Sequence, residues 1–197
     1  DVAVFSNLTR DHLDYHGSEQ AYAAAKLRLF SDLNPRCAIY NADDPIAQKV
    51  RQIVPERAVG ISLLDPTADL FVDVLTVEPL SYRLTTPAGT ATIKSGLVGG
   101  FNGFNVAAAV MAVVAMGYPF ADVALAAECL DPVPGRLQCV PNELGIKVVI
   151  DYAHTPDALV NVLTTLRAGK TQHASLTSIW LVFGCGGDRD QGKRALM

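Results

Sequence analysis

Residues 101–117, FNGFNVAAAVMAVVAMG, constrain the fold more than any other stretch of this chain. They read as a helix with almost no polar face, and a helix that is apolar all round must be buried. Such a helix needs a broad apolar surface to receive it. The first 62 residues carry the pattern for one: DVAVFS, RCAIYNADD (36–44) and AVGIS (58–62) are short apolar runs of the kind that form buried strands. Helices are expected between them. One runs from about Glu19 to Ser31, with Ala21, Ala24, Ala25, Leu27 and Leu29 as a small-residue face, and the other from Pro45 to Val54. Alternating strands and helices predict a parallel sheet covered by helices.

The pattern changes between residues 69 and 95, where LFVDVLTVEPL, SYRLTTPAG and TATIKSGLVG predict three strands joined by Pro and Gly turns. They form an antiparallel patch on the parallel sheet. A second helix follows Pro119, and DPVPGR (131–136) is a rigid connector. A new unit then begins, with a strand at 146–150, a loop, a helix from Pro156 to about Arg167, and a strand in TSIWLVFG that leads to a glycine-rich loop. That is one βαβ unit, the opening of a Rossmann-like domain. The predicted division is 1–144 and 145–197, giving an α/β protein.

Half of the 197 residues are hydrophobic and 18% are charged, so the chain can bury a core and is not disordered. A net charge of −4 leaves no basic footprint, and nucleic acid is not an expected partner. Phosphate ligands remain compatible, because local cations and helix N-termini can hold them. No apolar run reaches transmembrane length, so no membrane partner is expected. The four cysteines are widely separated, as reduced thiols of a cytoplasmic protein would be. DVAVFSN reads as a strand rather than a signal peptide, and GKRALM stops inside a predicted helix, so a piece of a longer protein is expected.

Several side chains could carry chemistry. TRDHLDYH (9–16) follows a strand, where open α/β sheets bind ligands. Either His12 ligates a divalent metal, with Asp11 or Asp14 orienting its ring, or the loop is simply polar. Ser18 is an N-cap and gives His16 a local role. Lys26, among alanines, either snorkels to solvent or lies in a partly desolvated pocket where its amine can react. Asn102 and Asn105 either cap the apolar helix or match a base edge. Arg136, in a rigid turn, suits a phosphate. Asp151 and His154, at the end of a strand, sit where nucleotide folds contact ribose. FGCGGDRDQGKR (183–194) combines backbone-approach glycines with Arg189, Lys193 and Arg194, yet lacks the Walker A ending.

Taken in order, NLTRDHLDYHG, AAK, NADD, GFNGFN, GR, DYAHTPDAL and FGCGGDRDQGKR resemble the Mur ligases, and the resemblance spans Asn7 to Met197. It is strongest to members that add the third peptide residue, meso-diaminopimelate or lysine, to UDP-N-acetylmuramoyl-L-alanyl-D-glutamate. The resemblance implies an ATP-dependent ligase of peptidoglycan synthesis that makes an amide through an acyl phosphate. It implies ATP and Mg2+ as cofactors, the UDP-MurNAc-dipeptide and a diamino acid as substrates, and a cytoplasmic monomer. The region matched is the later part of the central ATPase domain and the start of the C-terminal domain.

Residue by residue, the resemblance makes His12 a magnesium ligand and Lys26 a carbamylated lysine whose carbamate holds the same ion. Asn102, Asn105 and His154 fall on the adenine side, Arg136 on the phosphates and Asp151 on the ribose. Lys193 reaches the γ-phosphate, and Arg189 meets the incoming diamino acid. The family's P-loop, its acidic magnesium ligand, its UDP-binding domain and the D-N-P-R signature that sorts diaminopimelate from lysine are absent. This chain alone is therefore expected to have no ligase activity.

Overall fold

Strands β1 (Val2–Phe5), β2 (Cys37–Asn41) and β3 (Ala58–Ser62) pair in parallel in that order in a computed structural model describing residues 1–77, 79–170, 178–184, 192 and 194–197. β4 (Leu70–Val77) joins β3 in parallel. β5 (Leu80–Thr86) and β6 (Gly89–Ser95) then continue as the antiparallel patch foreseen from the sequence. The result is one six-stranded sheet in chain order.

Alternation along the strands sends side chains to two cores. Ala3, Phe5, Ala38 and Tyr40 meet α2 (Glu19–Ser31) and α3 (Lys49–Ile53) on one face. Ile39, Ile61, Leu70, Val72, Tyr82 and Ile93 meet α4 (Phe101–Ala115) and α5 (Phe120–Ala126) on the other. Burial on both faces is why β2 and β3 read as continuous apolar runs, whereas β1 leaves Val4 exposed. α4 is not buried all round as its composition predicts: Phe104, Val106, Ala107, Ala108 and Val110 enter the core, while Phe101, Asn105, Ala109 and Val113 form an exposed stripe at helical spacing. Gly103 lets it approach closely: a Cβ there would lie 3.3 Å from Val72 Cγ1.

Two other helices differ from the sequence pattern. The inward stripe of α2 is Ala23, Lys26 and Phe30, at helical spacing, whereas Ala21, Ala24, Ala25 and Leu29 face outward. α3 begins at Lys49 instead of Pro45, because the Asp44 carboxylate accepts from the N–H groups of Ile46 and Ala47 and shapes that stretch into turns.

The second unit opens with β7 (Gln138–Val140), which the sequence did not reveal. It pairs antiparallel with β8 (Val148–Ile150), so a hairpin spans the expected boundary near residue 144. α6 (Pro156–Lys170) follows. It packs near Gly99, whose φ of +94° leaves no room for a side chain beside Thr165 and Leu137. Residues 178–184 are not a strand here, contrary to expectation, and Trp180 and Val182 are 90% and 97% exposed. A parallel strand needs a neighbour and cover on both faces, and this segment has neither among the described residues.

Candidate active site

The loop leaving β1 turns sharply at His12, whose φ of +54° places it in the left-handed region. There it precedes the short helix α1 (Leu13–His16). Asp11 fixes the turn, its Oδ1 accepting from the His12 N–H at 3.0 Å. The other oxygen, Oδ2, lies 3.3 Å from His12 Nε2 and 3.4 Å from His154 Nε2. One carboxylate therefore meets a histidine from each unit. His154 Nδ1 lies 2.9 Å from the Tyr152 carbonyl. Nε2 is the nitrogen turned to Asp11.

Lys26 approaches the same loop from α2. Ser18 caps the helix, accepting from the Ala21 N–H at 3.1 Å as the sequence predicted. Half-buried Lys26 donates from Nζ to the Asn7 carbonyl at 2.5 Å. Its ammonium stands 4.6 Å from the Phe5 ring centroid and 5.6 Å from that of Tyr22. Burial pushes its pKa below the usual lysine value, and the Asp44 charge partly opposes this. Tyr22, one helical turn before Lys26, also meets the His12 ring edge-on at 6.0 Å and stacks with His16 at 4.9 Å. Burial, and secondarily Asp11, raises the Tyr22 pKa. Tyr22 thus joins His12 to Lys26. The only hint in the sequence was the i, i+4 spacing to Lys26.

The asparagines of α4 do not cap it. Asn102, 8% exposed, donates from Nδ2 to the Val98 carbonyl at 2.7 Å, and its Oδ1 accepts from Asn105 Nδ2 at 3.0 Å. The guanidinium of Arg136 lies 5.1 Å from the Tyr152 ring centroid. Asp151 accepts from the N–H groups of Leu137 at 2.9 Å and Ala153 at 2.7 Å, tying the connector to the exit of β8. Arg189 and Lys193 lie outside the described residues. No three His, Cys, Asp or Glu side chains converge on a metal position among the described residues. A groove of about 500 Å³ lies between β6 and α5, and no candidate residue lines it. No helix among the described residues is long and apolar enough to cross a membrane.

Paired histidines and a half-buried lysine at the carboxyl end of a parallel sheet, closed by a residue from the following unit, suit a ligand held between two domains. Residues 1–113 match the Mur ligase middle domain, and residues 135–197 match the Mur ligase glutamate ligase domain. The chain belongs to the Mur ligase family.

Among its relatives is the UDP-N-acetylmuramoyl-L-alanyl-D-glutamate–2,6-diaminopimelate ligase of Geobacillus kaustophilus, 38% identical over all of this chain and 41% of the relative. The Pseudomonas aeruginosa protein of the same name is 43% identical, over all of this chain and 40% of its own length. A solved structure of a UDP-N-acetylmuramoyl-L-alanyl-D-glutamate–2,6-diaminopimelate ligase superposes with a TM-score of 0.73 at 38% identity, covering all of this chain and 40% of the solved one. This chain thus spans about two fifths of the length of these relatives.

Proposed function

We propose that the chain is part of an ATP-dependent ligase that adds meso-diaminopimelate to UDP-N-acetylmuramoyl-L-alanyl-D-glutamate. The product is an amide made through an acyl phosphate, in cytoplasmic peptidoglycan synthesis. The observation that carries this reading is identity of 38–43% along the whole chain to proteins named for that reaction. The placement of Lys26, His12 and His154 at one sheet edge supports it.

In this reading His12 and Lys26, as its carbamate, hold a magnesium ion. The donors fit such an ion in part. Magnesium takes several oxygen ligands, and a carbamate would give the lysine oxygens in place of a cation, while nucleotide oxygens and water would complete the set. When bound, the metal offsets triphosphate charge. Asn102 and Asn105 order each other at the start of α4 and present amide groups to the adenine, with His154 alongside. Arg136 serves the phosphates and Asp151 the ribose, while Lys193 serves the γ-phosphate and Arg189 the diamino acid.

The test is an assay of the full-length protein containing this chain, with ATP, the UDP-MurNAc-dipeptide and either diaminopimelate or lysine. ATP-dependent tripeptide formation with diaminopimelate is expected. Product with lysine alone would move the assignment to the lysine-adding ligases, and nucleotide binding without product would reduce it to a non-catalytic module. The 197-residue chain by itself is expected to give no product.

A further inference from the structure

Asp44 stands just past the end of β2, and its two carboxylate oxygens have separate partners. Oδ1 accepts from the N–H groups of Ile46 and Ala47, each at 2.8 Å, and shapes the local turn. Oδ2 reaches the loop leaving β1, accepting from the Leu8 N–H at 2.9 Å. That N–H belongs to the same peptide group as the Asn7 carbonyl, the acceptor of Lys26 Nζ at 2.5 Å. A peptide group is planar, and its trans N–H and C=O point in opposite directions. Holding the N–H therefore aims the carbonyl, and the two hydrogen bonds in line polarise each other.

We propose that Asp44 is a positioning residue for Lys26, holding the Asn7–Leu8 peptide so that its carbonyl fixes the lysine head beside the His12 loop. The value of that position for ligation rests on the proposed function, but the placement itself does not. In the sequence NADD is the polar end of a strand and one motif of the family resemblance, and nothing local shows that one carboxylate oxygen crosses to another loop.

Asp44→Asn separates the two tasks. The amide oxygen can still accept from Ile46 and Ala47, while the amide nitrogen faces the Leu8 N–H donor to donor. In the full-length protein, lysine labelling by a trace acylating reagent is read by mass spectrometry, with Lys49 on the adjoining α3 as reference. Labelled at pH ~10.5, where the Lys26 amine is largely neutral with or without the Asp44 charge, Lys26 is expected to react about threefold to tenfold faster in the variant, as loss of one hydrogen bond implies, with Lys49 unchanged. Unchanged labelling of Lys26 would overturn the proposal, and so would an equal rise at both lysines, the sign of general loosening. Labelling needs no turnover, so a protein without ligase activity would sink the functional reading and leave this test intact. Should the variant not fold, amide exchange in the wild-type protein decides. The Leu8 N–H is expected to exchange at least about tenfold more slowly than an unprotected amide, and exchange at the unprotected rate would refute the clamp.

Discussion

The six-stranded sheet has two halves that treat polar groups differently. In the parallel half, β1 and β2 release their chains at the same edge, where Asp11 faces His12, Asp44 holds the Leu8 N–H and the inward-facing Lys26 holds the Asn7 carbonyl. In the antiparallel half, β5 is packed as tightly, yet the Tyr82 hydroxyl is fully buried and has no hydrogen-bond partner among the described residues. Topology explains the contrast. Parallel strands all end on one side, so their exit loops collect polar side chains that can serve one another and a ligand. Antiparallel strands end on alternate sides, and no edge gathers such loops. The Tyr82 hydroxyl then costs stability with no site to justify it.

The largest expected effect falls on the parallel half. Lys26→Ala in the full-length protein should lower ligation by about a hundredfold or more, beyond the usual loss for a residue that only supports a metal ligand. Added bicarbonate should not restore it, and the thermal midpoint should change little. Wild-type turnover would remove Lys26 from the chemistry. Asp11→Asn should follow with about a tenfold loss in kcat, because the charge facing both His12 and His154 is gone while the shape remains. A large fall in thermal midpoint with unchanged kcat would instead make Asp11 a fold residue and erase the distinction between the halves.

The sequence made the architecture legible where periodicity was strong. β1–β3, the three strands of the antiparallel patch and the full extent of α2 followed from apolar runs and turn residues. It did not show which face of α2 turns inward, and it left Lys26 between solvent and a pocket. A helix read from hydrophobicity hides a lysine on its polar side, whereas the fold offers Lys26 two rings and a carbonyl. β7 escaped notice because three residues carry too little pattern, and its partner lies beyond a loop. The candidate site was legible as a set of residue types, since Asp11, His12 and Lys26 sit close in the chain. The contact of His154 with Asp11, the crossing by Asp44 and the bridging ring of Tyr22 were not, because each depends on loops that meet only after folding.

The smallest effect sharpens the comparison from the antiparallel side. Tyr82→Phe removes only the unpartnered hydroxyl and keeps the ring that fills the core. Leaving a buried polar group unpaired costs on the order of 1 kcal/mol or more, so the variant should be more stable than wild type, with a midpoint about 2–4 °C higher for a chain of this size. The pH dependence has a definite sign. Burial, with the Glu128 charge adding to it, holds the Tyr82 pKa above its ordinary value of 10.0. As pH rises past that value the unfolded chain releases the phenolic proton while the folded chain keeps it, and wild-type stability falls. Phenylalanine has no proton to lose there. The advantage of Tyr82→Phe should therefore be constant below pH ~9 and widen above pH ~10 in thermal or urea unfolding. A variant less stable than wild type at neutral pH would mean that the hydroxyl is satisfied in solution, and the antiparallel half would no longer differ from the parallel half in this respect.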